Sequence, residues 1–175
     1  LSAQSIGDTL PVRVRLIEGR HRSLRVGGGW STIDCFRSRS RFVEQNFLGR
    51  GHRFQADLQL AKIGVGAPLN GLPDLCAPRV RADTFSLKLN YYVGATVSLR
   101  GVLGDRWHPV GTLYSERRTE FQSYVRETTV GALGSFDRPL VPRVNTTFTY
   151  RFDAGRTTSD AAVSCGTFGL CRFND

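Results

Sequence analysis

Four cysteines are the residues of this 175-residue chain whose chemistry is simplest to interpret. They are Cys35, Cys76, Cys165 and Cys171. Because no two of them form a Cys-x-x-Cys pair, we expect no zinc site. An even number of cysteines in an exported protein indicates disulfide bonds, so we expect two of them.

The histidines and the glycine run are the other candidates for chemistry. His52 and His108 fall in predicted turns, where we expect them to be solvated, and no G-x-S-x-G elbow accompanies any histidine. The run Gly27 to Gly29 resembles a phosphate-binding loop, but such a loop must open a helix, and none follows. We therefore predict that the chain is not an enzyme and binds no cofactor.

The positive charge of the chain comes mainly from arginine. The formal net charge is +9, and the arginines are concentrated between Arg13 and Arg53. Arg37, Arg39 and Arg41 stand at every second position, which is the spacing of one polar face of a strand. We therefore predict a solvated face that contacts anionic lipid, and we expect no nucleic-acid partner.

The elements that must position these residues are β-strands. Residues 81–102 alternate apolar and polar side chains almost without a break, so they predict one strand of roughly sixteen residues, longer than soluble strands. A tilted strand needs only about 9–11 residues to cross a bilayer. Similar segments predict further strands at 10–18, 24–32, 37–47, 53–63, 110–121, 124–136 and 144–154. No segment shows helical periodicity, and no run of 18 apolar residues exists. The fold class predicted is all-β: an antiparallel meander of long strands, part of a transmembrane outer-membrane β-barrel.

The connections between these strands differ at the two ends of the predicted sheet. Short turns at 48–52, 101–109 and 137–143 share one end, and longer connections at 33–36, 64–83, 116–124 and 155–175 share the other. All four cysteines lie at the second end. Longer loops on one rim are typical of outer-membrane barrels. Since Cys35 and Cys76 lie in adjacent loops and Cys165 is close to Cys171, we predict the pairs 35–76 and 165–171.

Residues 25–63 carry a family pattern. VGGGWST is followed by a short turn and by RFVEQNFLGRGHRFQADLQLAK, in which NFLGRG is the most specific part. This order resembles the start of the barrel in outer-membrane protein assembly factors of the BamA and TamA type. The resemblance implies that residues 20–175 form about seven barrel strands, and that residues 1–19, with LPVRVRLIEG, close the last periplasmic POTRA domain.

The resemblance also implies a function. In that family the weakly paired first strand borders a lateral gate, through which unfolded outer-membrane proteins enter the bacterial outer membrane. The gate-side first strand here would consist of Val26, Gly27, Gly28, Gly29, Trp30, Ser31 and Thr32. The implied partners are outer-membrane lipid, unfolded outer-membrane proteins and periplasmic accessory proteins.

Two interpretations of the whole chain remain open at this point. The chain opens at Leu1 and contains no Met, so we expect a processed chain or a fragment that holds the first half of a larger barrel. Alternatively, counting residues 10–18 gives eight strands, enough for a complete small outer-membrane barrel with a structural or adhesion role.

Overall fold

A computed structural model describes Arg15, residues 19–102, 107–122, 124–141 and 144–160, and Cys165. Seven strands form one antiparallel sheet in which sequence neighbours are also sheet neighbours, in the order β1 to β7. They are β1 Arg22–Ser31, β2 Cys35–Phe47, β3 His52–Ile63, β4 Asn90–Ser98, β5 His108–Thr119, β6 Val125–Val141 and β7 Val144–Ser159. The predicted all-β antiparallel meander is thus confirmed. The sheet is open, because β1 and β7 each have a single partner strand among the described residues.

The strand register sorts the side chains onto two different faces. Residues directly opposite each other in antiparallel strands point to the same side, so the pairing can be followed across the whole sheet. One such row consists of Leu24, Phe42, Ala56, Ala95, Leu113, Ala132 and Phe152. The adjacent row consists of Val26, Ser40, Leu58, Val93, Ser115, Val130 and Ala154. We call this side the apolar face, and most of its large side chains are exposed.

The opposite side, which we call the polar face, carries hydrogen-bonded side chains. One row runs Arg25, Arg41, Asp57, Gly94, Tyr114, Gly131 and Asp153. Within it Arg41 Nε donates to Asp57 Oδ1 at 2.6 Å, and Tyr114 of β5 donates to Asp153 of β7. The second bond joins strands that are not neighbours. It passes over Gly131 of β6, where no side chain stands between them.

The long strand predicted at 81–102 is wrong in its first half. β4 begins only at Asn90, and residues Thr84–Ser86 form a 3-10 helical turn. The chain before Asn90 bonds within the 64–89 connection instead: the amide of Ala67 donates to the main-chain oxygen of Leu87, and the amide of Leu89 donates to the main-chain oxygen of Ala67. Alternation alone could not reveal this competition, since the same side chains suit either arrangement. Within β4, Val93 and Ala95 do share the apolar face.

Residues 64–89 fold as a compact unit, which we call the cap. It contains a 3-10 turn at Pro73–Leu75 and a five-residue helix, α1, at Pro78–Ala82, where no helix was predicted. None of the helical segments described is long and apolar enough to cross a membrane. Val65, Cys76 and Val80 of the cap form a small core together with Cys35 of β2. Beside this core Lys62 is 1% exposed, and its Nζ donates to the main-chain oxygen and the hydroxyl of Ser86.

The β2–β3 hairpin gives the NFLGRG segment a structural explanation. Leu48, Gly49 and Gly51 all adopt positive φ angles between 59° and 70°, a region that glycine enters without strain. Asn46 Oδ1 accepts a hydrogen bond from the amide of Gly51 at 2.8 Å. His52 was expected to be solvated, and this is wrong: the ring is buried, and Nδ1 accepts from the amide of Arg100. It therefore joins two turns at the same end of the sheet.

Strand ends elsewhere differ from the predictions by several residues. Cys35 and Phe36 belong to β2 and not to a turn, while β7 continues to Ser159 instead of ending near residue 154. The predicted difference in loop length between the two rims is due mainly to the cap, because the β1–β2 and β5–β6 connections at the same rim are short. The predicted strand at 10–18 lies outside the described residues, apart from Arg15.

Candidate functional site

The predicted gate-side strand lies at the open edge of the sheet. Val26 to Ser31 all belong to β1, whereas Thr32 lies in the turn to β2, so its assignment to the strand is wrong. β1 pairs along its full length with β2 and has no described strand on its other side. Its backbone groups on that side are therefore available to another strand, as at any unpaired sheet edge.

The glycines of β1 are not required by close packing within the described structure. A Cβ atom at Gly27 would meet nothing within 4 Å, and one at Gly28 would meet only the main-chain oxygen of Arg37 at 3.6 Å. Neither position has a positive φ angle. The glycines instead lower the stability of the strand. Glycine loses more conformational entropy on folding than other residues do, and it has no side chain to pack.

Gly29 differs from its two neighbours, because an arginine lies over it. A Cβ atom there would stand 3.3 Å from Nε of Arg37 and 3.7 Å from its Cγ. Arg37 is the direct cross-strand partner of Gly29, and Arg39 is the partner of Gly27. The side chain of Arg37 therefore reaches from β2 over the backbone of β1 at Gly29. Sequence reasoning missed this contact, because it depends on the register between β1 and β2.

Arginines dominate the polar face of the first three strands. Arg25, Arg37, Arg39, Arg41 and Arg53 all lie on it, with Asp57 as their one acidic neighbour in these strands. The Asp57 carboxylate forms an ion pair with Arg41, with 2.6 Å between Oδ1 and Nε, and accepts a hydrogen bond from Nε2 of Gln55. Within the described part of the chain, no carboxylate lies within ion-pair distance of Arg37 or Arg39.

A groove opens on the sheet beside these arginines. Its volume is about 540 Å³, and its lining includes Gly27, Gly29, Arg37, Arg39, Gln59 and Tyr92. The groove continues to Glu116 and Arg118 of β5, so its far wall carries both charges. Asp34 of the β1–β2 turn lines the groove as well, so an anionic group that reached the open edge of β1 would meet Arg37 together with one carboxylate.

The cap holds the far end of β1. Trp30 Nε1 donates to the main-chain oxygen of Leu75 in the cap at 3.2 Å. The cap is itself bonded covalently to β2 through the Cys35–Cys76 disulfide, whose predicted pairing is confirmed. Cys165 is also disulfide-bonded, but Cys171 lies outside the described residues, so the pair 165–171 stays a prediction. The candidate site is therefore a strand edge with one anchored end.

Neither a protein-family model nor a curated protein nor a solved structure matches this chain.

Proposed function

We propose that this chain is part of an outer-membrane protein assembly factor and that the open edge of β1 forms one side of its lateral gate. Incoming barrel proteins would add their own strands to this edge as they enter the bacterial outer membrane. The observation that carries the proposal is the position of the glycine-rich strand. It is the edge strand of the sheet, and its backbone has no second partner among the described residues.

The membrane part of the proposal draws on the two faces. The strands range from 9 residues in β4 to 17 in β6, which suits the length that a tilted strand needs to cross a bilayer. The rows through Leu24 and Val26 would face lipid, and the arginine-bearing face would line a water-filled interior. Further strands that close the sheet into a barrel would pair the free backbone N–H and C=O groups of both edges. Left unpaired in lipid, these groups would carry a high energetic cost.

Gate opening also has a physical basis in this strand. A strand that must release one partner and accept another cannot be held strongly on that side. Three consecutive glycines weaken the pairing of β1, while its ladder to β2 and the Trp30–Leu75 bond keep it attached to the sheet. Strand addition to such an edge is a known mode of polypeptide recognition.

A photocrosslinking amino acid placed in β1 tests the proposal. Val26 is 70% exposed at the open edge, and Val130 lies in the same row but on β6, far from that edge. During assembly of newly made outer-membrane proteins, we expect adducts with those proteins from position 26 and only background labelling from position 130. Equal labelling from both positions, or none from position 26, would contradict the proposed gate and favour the complete small barrel.

A further inference from the structure

We infer that the edge of β1 selects strands that carry a carboxylate side chain opposite Gly29, where Arg37 binds it. This inference rests on the proposed function and narrows its substrate class: an extended polypeptide segment with Asp or Glu on the side that faces the polar face of the sheet.

The first step is the position of Arg37 relative to an added strand. Neighbouring strands are about 4.8 Å apart, so a strand added to β1 would lie roughly 10 Å from β2. A residue directly opposite Gly29 on that strand would share a row with Gly29 and Arg37. Because Gly29 has no side chain and Arg37 already lies over it, the guanidinium would be within reach of a carboxylate side chain on the added residue.

The same arrangement exists, complete, elsewhere in this sheet. Tyr114, Gly131 and Asp153 occupy one row on three successive strands, β5, β6 and β7. The tyrosine crosses over the glycine and donates a hydrogen bond to the carboxylate. Arg37 and Gly29 reproduce the first two members of this row on β2 and β1, and the third position lies beyond the open edge. An arginine side chain is about as long as a tyrosine and makes stronger, charge-assisted bonds to a carboxylate.

The charges around the edge favour an acidic residue in the third position. Arg39 lies opposite Gly27, one step along the same face, and adds positive charge to that face, although its side chain does not lie over Gly27. Neither Arg37 nor Arg39 has a carboxylate within ion-pair distance among the described residues, whereas Arg41, one step further, is neutralised by Asp57. A lysine or arginine opposite Gly29 would be repelled, and an uncharged residue would gain little.

Disulfide trapping of peptides tests the inference. The full chain carrying Val26→Cys is folded in detergent micelles, and strand-forming peptides with one cysteine are added in a glutathione redox buffer. The cysteine is placed so that, when it pairs with position 26, a variable residue lies opposite Gly29. Three peptides differ only there, with Glu, Gln or Lys, and a scrambled peptide sets the background.

We expect the Glu peptide to be trapped about three- to tenfold more than the Lys peptide, with Gln between them. Arg37→Gln should abolish this preference, and Arg37→Glu should reverse it. Arg53→Gln removes the same charge from the same face but two strands away from the edge, so it should leave the preference intact. Gly29→Val keeps the charge but moves Arg37 from its place over β1, and it should weaken the preference as well.

The failure of the inference can be distinguished from the failure of the proposed function. Equal trapping of all three strand-forming peptides, well above the scrambled one, would overturn the inference and leave strand addition intact. Trapping of no peptide above background would overturn strand addition at β1, and the inference would fall with it.

Discussion

Trp30 and Leu75 are joined by a hydrogen bond of 3.2 Å from the indole Nε1 to the main-chain oxygen, although 45 residues separate them. This bond is the contact by which the cap reaches the edge strand itself. The neighbouring Cys35–Cys76 disulfide attaches the cap to β2. The anchoring of β1 therefore depends on a unit that belongs to the connection between β3 and β4.

Removing the indole donor should loosen this anchor. Trp30→Phe keeps an aromatic ring but leaves the Leu75 oxygen without its partner, and we expect a loss of about 0.5–1.5 kcal/mol in the free energy of unfolding. Hydrogen exchange measured by mass spectrometry should quicken in residues 72–76. Tyr150→Phe serves as the control, because that side chain is 72% exposed and lies far from the cap. Unchanged exchange in the cap would show that the bond contributes nothing.

Breaking the disulfide should release the cap more completely. The bond closes a segment of 41 residues, so replacing both Cys35 and Cys76 by serine should cost about 2–4 kcal/mol of stability in urea titrations. Limited proteolysis should then cleave within 64–89, whereas the oxidised protein should resist cleavage there. In the serine background Trp30→Phe should have little further effect, since coupled contacts are not additive. Full additivity would mean that the two contacts act independently.

Charges on the two faces of one strand should have opposite consequences. Leu58 lies on the apolar face of β3, and Gln59, the next residue, lies on the polar face. Leu58→Arg should reduce the yield of membrane-integrated protein strongly, because an arginine in the middle of the bilayer costs about 2–4 kcal/mol. Gln59→Arg adds the same charge to a solvated face and should have little effect. Equal yields of the two variants in membrane fractions would argue against the barrel.

Two glycines of β6 should respond differently to the same substitution. A Cβ atom at Gly131 would overlap both Tyr114 and Asp153, while one at Gly134 would meet nothing within 4 Å. Gly131→Ala should therefore separate that hydrogen-bonded pair and cost about 1–3 kcal/mol in urea unfolding. Gly134→Ala should be neutral or slightly stabilising, because it only reduces the freedom of the unfolded chain. In the Gly131→Ala protein, Tyr114→Phe should cost nothing more.

Local sequence patterns predicted much of this fold because strand alternation is a local property. The meander and the Cys35–Cys76 pair follow from alternation and from which connections share a rim. The start of β4 could not be predicted in this way. Residues 84–89 alternate like a strand, but hydrogen bonds within the cap keep them out of the sheet. Likewise, the place of Arg37 over Gly29 depends on the β1–β2 register, and register becomes visible only when the strands are paired.

The cap also has a mechanical consequence for the whole sheet. At one end it is bonded to Trp30 of β1, and at the other Phe85 accepts a hydrogen bond from Arg126 of β6. Asp83 accepts another from the amide of Gln122, between β5 and β6. The cap thus links the first strand of the sheet to the sixth at one rim. At the opposite rim no such unit connects distant strands among the described residues, and the bond between His52 and Arg100 joins only neighbouring turns, so that rim has more freedom to widen or narrow.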